Sequence, residues 1–228
     1  MKNNNNSENP DHRYVISYLT IRKAVGILGM ALPFVLLLGF LIIKKGCPFP
    51  PSISHFYYTN MGNYFVGTLC AVSLFLFSYN GYDKADMITS KLAGFFALVV
   101  ALSPTDFNAF SSLDCSRINP HDNTITNSLH YISATLLFSS FAFFSLVLFT
   151  QTDEKKTMTK QKKTRNGIYK TCGWIIVFCI LSMAALAFIP FLAEKFSNDK
   201  TTYIFETIAL LAFGFSWLIK GETFFADK

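Results

Sequence analysis

The sequence predicts an all-α, polytopic membrane protein whose six transmembrane helices form one bundle. Of its 228 residues, 51% are hydrophobic and only 15% are charged, and the mean hydropathy is +0.35. The apolar residues are gathered into six runs of about 16 to 23 residues, the length at which a helix crosses a hydrocarbon core of about 30 Å. These runs lack the alternation of barrel strands, and lipid requires every backbone polar group to be paired, so helices are expected.

The predicted spans, in chain order, are residues 25–43, 63–79, 88–103, 128–150, 171–193 and 203–219. Residues 1–20 are interpreted as a polar, partly disordered tail, because they contain a run of asparagines and lack the short apolar core of a cleavable signal. Residues 21–222 then form the membrane domain, and residues 223–228 form a second tail. Pro33 and Pro190 are expected to bend or end their helices.

Two stripes of small residues predict which helix faces pack together, since lipid gives helices no hydrophobic reason to associate. The stripe of the third span comprises Gly94, Ala97, Ala101 and Thr105. The stripe of the second span comprises Asn63, Gly67, either Cys70 or Ala71, and Ser78. Both faces are expected to contact other helices.

The distribution of lysine and arginine predicts the orientation. With a cytoplasmic N-terminus, 15 of the 20 basic residues lie on the cytoplasmic side and five lie outside, as the positive-inside rule requires. Both termini are therefore predicted to be cytoplasmic, in the inner (plasma) membrane of a bacterial cell. The net charge of +6 is explained by topology, and no nucleic-acid partner is inferred from it.

Polar side chains at the outer ends of the spans predict a pocket. Its candidate residues are Tyr57, Thr59, Asp106, His130 and Glu206. His130 and Glu206 each have apolar neighbours on both sides, and an ionisable group inside a membrane is costly. The leading hypothesis is an outward-facing pocket that binds or conducts a small solute, an ion or a lipid. Conduction would require a homo-oligomer, because no span has a continuous polar face. The alternative is that these residues simply anchor the span ends at the interface.

A second polar group lies at the predicted inner ends of the spans. Its residues are Asp83, Arg165, Lys220 and Glu222, and Asp83 is expected to pair with Arg165 or Lys220. The neighbouring segment 151–170 has a net charge of +5. It is either a solvated loop beside anionic lipid or the docking segment of a partner or signalling subunit.

A zinc-dependent lipid hydrolase is the alternative from a different functional class, with His55, His121 and His130 as ligands. The sequence has no H-x-x-x-H or H-E-x-x-H pattern, so the leading hypothesis includes neither an enzymatic activity nor a cofactor.

Two of the five cysteines, Cys47 and Cys115, fall in predicted outer loops and are candidates for a disulfide in an oxidising compartment. The other three lie within predicted helices.

Several short motifs carry a family resemblance. They are Pro50-Pro51-Ser52-Ile53-Ser54, Phe65-Val66-Gly67, Tyr79-Asn80-Gly81-Tyr82-Asp83, Pro104-Thr105 and Trp217-Leu218-Ile219-Lys220-Gly221-Glu222. In these motifs the chain resembles small six-helix membrane proteins of the Frag/DRAM/Sfk kind and related bacterial proteins. The resemblance covers about a fifth of the chain and implies the six-span fold but no catalytic residue.

Overall fold

The chain folds as a bundle of long helices, seen in a computed structural model that describes residues 10–43, 47–81, 83–106, 124–151, 158–196 and 200–224. The helices are α1 (Pro10–Ile43), α2 (Gly62–Ser78), α3 (Lys84–Leu102), α4 (Thr124–Phe143), α5 (Lys160–Phe188), α6 (Pro190–Phe196) and α7 (Thr201–Lys220). A 3₁₀ turn, Ser54–Tyr58, precedes α2, and α4 continues into a π-helical segment, Phe144–Leu148. The described residues contain no β-strand, so the all-α prediction is confirmed.

Five of these helices, α1, α3, α4, α5 and α7, are long and apolar enough to cross a membrane. Helix α2 is also apolar but has only 17 residues, fewer than the other five. A helical membrane protein that crosses the bilayer several times is the class that these helices support.

Two helices begin well before the predicted spans. Helix α1 begins at Pro10, inside the segment assigned to the tail, and α5 begins at Lys160, inside the segment predicted as a basic loop. The side chain of Thr159 caps α5 by accepting a hydrogen bond from the Lys162 N–H, which supplies a helix start that hydropathy does not register. Both helices thus have polar first turns ahead of their apolar parts.

The two predicted proline positions behave differently. Helix α5 ends at Phe188, and the short helix α6 begins at Pro190, because proline has no N–H with which to continue the preceding helix. Pro33 lies within the continuous helix α1.

Helices α2 and α3 run antiparallel and approach closely through small residues. The Ser73 hydroxyl donates to the Gly94 carbonyl at 2.7 Å, and the Ser90 hydroxyl donates to the Leu76 carbonyl at 2.6 Å. The stripe predicted on the third span is confirmed, since its members are all buried: Gly94, Ala97, Ala101 and Thr105.

The stripe predicted on the second span does not form the packing face, and that prediction is wrong. Asn63, Gly67 and Ser78 are exposed, and a Cβ at Gly67 would meet no atom within 4 Å. The buried face of α2 includes Phe65 and Leu76. Because α3 contributes the small side chains at this contact, α2 contributes large ones that fill the space.

Helix α1 packs antiparallel along α7. A Cβ at Gly214 would lie 2.6 Å from the Gly26 carbonyl oxygen, so only glycine fits this contact without a backbone shift. Towards one end of the bundle the Tyr203 hydroxyl donates to the Pro33 carbonyl at 2.9 Å. Towards the other end an Arg22 Nη donates to the Lys220 carbonyl at 3.4 Å. We name these the Glu206 end and the Arg22 end of the bundle.

Candidate functional site

A cavity lies inside the bundle and reaches the Glu206 end. Its volume is about 50 Å³, and its walls come from α1, α2, α3, α4, α7 and the segment at the start of the 3₁₀ turn. All of its lining residues are apolar except Ser54, Thr68 and Glu206. We call it the Glu206 cavity, because this carboxyl group is the one acidic function among the lining residues.

The Glu206 side chain is held by the segment that precedes the 3₁₀ turn. The Ile53 N–H donates to Glu206 Oε2 at 2.5 Å. One turn earlier on α7, the Tyr203 N–H donates to the Pro51 carbonyl at 3.0 Å, and the Tyr203 ring lies edge-on to Phe49 with the ring centroids 4.9 Å apart. Backbone and aromatic contacts therefore fix this segment against the start of α7.

The Glu206 carboxyl group has no ion pair and no hydrogen bond other than that from Ile53 within the part of the chain that the structure describes. An ionised carboxylate in apolar surroundings is costly unless a cation or several donors accompany it. The arrangement therefore suits a group that gains a proton or binds a positively charged donor in the cavity.

His55 lies in the 3₁₀ turn and is 5% exposed. Its Nδ1 is 2.6 Å from the Ser52 hydroxyl oxygen, and its Nε2 is buried with no hydrogen-bond partner among the described residues. The pKa of His55 is lowered from 6.5 to about 4, chiefly by burial. The backbone and the charge of Asp106 act in the opposite direction, and the interaction with His130 adds to the lowering. The ring is therefore neutral at pH 7.

His130 and its neighbours join the end of α3 to α4. His130 Nδ1 lies 2.7 Å from the Ser103 carbonyl oxygen, and because a carbonyl only accepts, Nδ1 carries the hydrogen. The Tyr58 hydroxyl donates to the Thr105 carbonyl at 2.6 Å, and the Thr105 hydroxyl donates to the Tyr131 hydroxyl at 3.2 Å. These bonds tie the 3₁₀ turn, the end of α3 and the start of α4 together.

Of the five residues predicted to form one outer pocket, only Glu206 lines the cavity. Asp106 and His130 interact electrostatically with His55. The Thr59 hydroxyl donates to the Phe56 carbonyl at 2.8 Å and accepts from the Met61 N–H at 3.1 Å, so it stabilises the turn before α2. The Tyr57 ring is half-buried. The sequence analysis missed Ile53, whose backbone N–H gives no signal in a sequence.

The alternative zinc site finds no ligand set among the described residues, which contain no group of three or more His, Cys, Asp or Glu side chains placed to hold a metal ion. Of its predicted ligands, His55 and His130 lie at the Glu206 end and His121 is outside the described residues.

Cys47 is disulfide-bonded, whereas Cys70, Cys172 and Cys179 are free. Cys115 also lies outside the described residues, so the Cys47–Cys115 pairing stays a prediction.

The residues predicted at the inner ends of the spans lie near the Arg22 end. Asp83 caps α3, where its carboxylate accepts from the Asp86 N–H at 2.8 Å, and Glu222 is exposed just after α7. Lys220 interacts electrostatically with Arg165 and with Asp86. Asp86, with 1% exposure, is therefore the buried acid that interacts with Lys220, whereas the Asp83 carboxylate caps α3.

The sequence carried a signal for Asp86 in the helical spacing of the buried face of α3, whose residues are Asp86, Ser90, Ala93 and Ala97. Arg22 is also buried here, with its guanidinium 5.4 Å from the centre of the Tyr79 ring and an Nη donating to the Tyr79 hydroxyl at 3.3 Å. The sequence analysis used Arg22 only to assign orientation.

The fold and the site define a multi-pass helical membrane protein with an interior cavity beside one acidic side chain. The chain matches no protein-family profile, no curated protein and no solved structure. The resemblance to the Frag/DRAM/Sfk kind therefore stays a prediction.

Proposed function

We propose that the chain is a six-span membrane protein, with both termini in the cytoplasm, that binds a small ligand in the Glu206 cavity. The observation that carries this proposal is the carboxyl group at the cavity wall, which has one donor and no cation among the described residues. A fold with no use for this group would place a leucine or a methionine there at less cost.

The packing of α2 supports its assignment as the sixth span. Tyr79, just after α2, contacts Arg22 of α1, while Met61, just before α2, lies against Gly39 of α1. Helix α2 thus covers the same depth as the stretch of α1 from Arg22 to Gly39, about 26 Å at 1.5 Å per residue. The positive-inside rule supports a cytoplasmic Arg22 end and an outer Glu206 end.

The size and lining of the cavity limit its ligand. A cavity of about 50 Å³ is about a third of the volume that holds benzene in an engineered protein core. It therefore accommodates a group of about two or three heavy atoms, either a small solute or one end of a longer molecule. Apolar walls favour a hydrocarbon part, and Glu206 fixes the position of a polar atom.

A cavity-filling variant tests the proposal. Purified protein in detergent is heated in the presence of ethanol or ethylammonium, each with three heavy atoms, and the unfolding midpoint is recorded against probe concentration. We expect at least one probe to raise the midpoint in a saturable way. Ala134→Leu, which fills the cavity, is expected to abolish this response, and Thr135→Leu, at an exposed position of the same helix, is expected to retain it. If neither probe gives a saturable response, the proposed function is overturned.

A further inference from the structure

The ligand chemistry can be taken further, on the basis of the proposed function, from the hydrogen bonds that Glu206 makes. An ionised carboxylate has two oxygens that only accept, and the Ile53 N–H occupies Oε2. The group that complements the remaining oxygen must therefore be a donor. A positively charged donor also balances the charge, and charge-assisted hydrogen bonds are about twice as strong as neutral ones.

A metal ion does not suit this site. Calcium and magnesium take about six or more oxygen ligands, and the lining residues offer only the Glu206 carboxylate with the hydroxyls of Ser54 and Thr68 as oxygen-bearing side chains. The remaining walls are hydrocarbon and offer no ligands to replace the water molecules that a metal ion would lose on entering the cavity. An organic cation supplies both a charged donor for the carboxylate and carbon atoms for the walls.

Volume and donor count select among organic cations. A trimethylammonium group has no N–H to give to the carboxylate and is larger than a cavity of about 50 Å³ admits. A primary ammonium group carries three N–H donors on one nitrogen, and a two-carbon arm brings it to three heavy atoms.

We propose that the Glu206 cavity binds the primary ammonium end of an ethylamine-like group, with the ammonium paired to the Glu206 carboxylate and the carbon arm against the apolar walls. Two sources carry this chemistry: a free small amine, and the ethanolamine headgroup of a phospholipid in the leaflet at the Glu206 end. Binding of a group this small is weak in either case, with about millimolar affinity, because the binding free energy available to each heavy atom of a ligand is limited.

The test compares ethylammonium chloride, ethanol and tetramethylammonium chloride as probes, with sodium chloride at equal ionic strength as the reference. The readout is the unfolding midpoint of the purified protein in detergent as each probe is titrated. We expect ethylammonium to stabilise the protein at much lower concentration than ethanol, and tetramethylammonium to behave like sodium.

Glu206→Gln keeps the shape of the side chain and removes its charge. We expect this variant to need about 30-fold more ethylammonium or more for the same shift, with its response to ethanol unchanged. Glu194→Gln, which neutralises an exposed acid on α6, is the matched control and is expected to behave like the original protein. If Glu206→Gln does not fold, the order of the three probes on the unaltered protein decides the question.

The outcomes separate this inference from the proposed function on which it rests. Equal stabilisation by ethanol and ethylammonium would overturn the ammonium assignment and keep the cavity as a binding site, whereas no response to any probe would overturn both. Reconstitution then distinguishes the two sources. In phosphatidylethanolamine vesicles a lipid headgroup already fills the site and ethylammonium has no further effect, whereas in phosphatidylglycerol vesicles it stabilises the protein. An equal response in both vesicles assigns the site to a free amine.

Discussion

At the scale of single residues, His55 makes the stability of the Glu206 end depend on pH. Burial lowers the pKa of His55 to about 4, from 6.5 in the unfolded chain. Between these two values the unfolded state binds the proton of His55 more tightly than the folded state does. The contribution of His55 to the free energy of unfolding therefore falls as the pH is lowered from 6.5 towards 4, and it is constant above 6.5. The loss attributable to this residue is up to about 3 kcal/mol, at 1.36 kcal/mol per pKa unit.

The pH prediction is checked by recording the unfolding midpoint of the original protein and of His55→Gln between pH 8 and pH 4.5. We expect the difference between the two proteins to be constant above pH 6.5 and to shrink below it, because the variant has no imidazole to protonate. Asp106 and His130, which interact electrostatically with His55, are present in both proteins, and the difference removes most of their contribution. Two curves that stay parallel down to pH 4.5 would contradict the assignment.

Residue by residue, the sequence predicted which side chains are unusual better than it predicted where they meet. Glu206 and His130 are unusual in the sequence because each is ionisable within an apolar stretch, and both make specific hydrogen bonds. Only its depth along the chain predicts Thr59 as a pocket residue, and its hydroxyl stabilises a turn. Depth along the bundle follows from chain position, whereas the direction of a side chain depends on helix rotation, which hydropathy does not encode.

At the scale of helices, glycine has opposite consequences at two positions. Gly214→Ala would place a Cβ 2.6 Å from the Gly26 carbonyl oxygen, so α1 and α7 must separate. We expect a loss of about 1 to 3 kcal/mol, typical of overpacking, and a lower unfolding midpoint. Gly67→Ala is the matched control because the position is helical and has no atom within 4 Å of the new Cβ, so we expect an unchanged or higher midpoint. Equal changes of the unfolding midpoint in the two variants would contradict the assignment of Gly214 to a close contact between helices.

The stripes of small residues on α2 and α3 show what such a stripe can and cannot predict. The stripe on α3 is buried, whereas Asn63, Gly67 and Ser78 of the similar stripe on α2 are exposed. Small residues on one of two packed helices are enough for a close contact, because the other helix can supply large side chains that fill the space. The sequence of one helix therefore does not say which of its faces is used, and the Gly26–Gly214 contact requires knowing that α1 and α7 are neighbours.

At the scale of the whole molecule, composition and run length predicted the helical membrane fold, because both follow from the physics of the bilayer and not from any particular contact. The helix ends at Pro10 and Lys160 differ from the predicted spans because polar turns extend these helices beyond their apolar parts. The cavity could not be predicted from the sequence, since its walls come from five helices and a turn that are distant in the chain. What the sequence did supply was Glu206, its one acidic lining residue.

The number of spans decides on which side the C-terminus lies, and this makes the topology directly testable. If α2 crosses the membrane with the five longer helices, the chain crosses six times and both termini share a side. If α2 does not cross, five crossings put the termini on opposite sides.

Alkaline phosphatase fused after residue 224 would be inactive in a bacterial host under the six-span arrangement, because the enzyme needs the oxidising compartment to form its disulfides. Green fluorescent protein at the same point would be fluorescent. Fusions after residue 106, beyond α3, should give the reverse pattern. The fusion after residue 81 isolates α2, because crossing by α2 returns the chain to the side of the N-terminus, next to the buried Arg22. An active phosphatase at residue 81 or 224 would contradict the six-span topology and the outward placement of the Glu206 end.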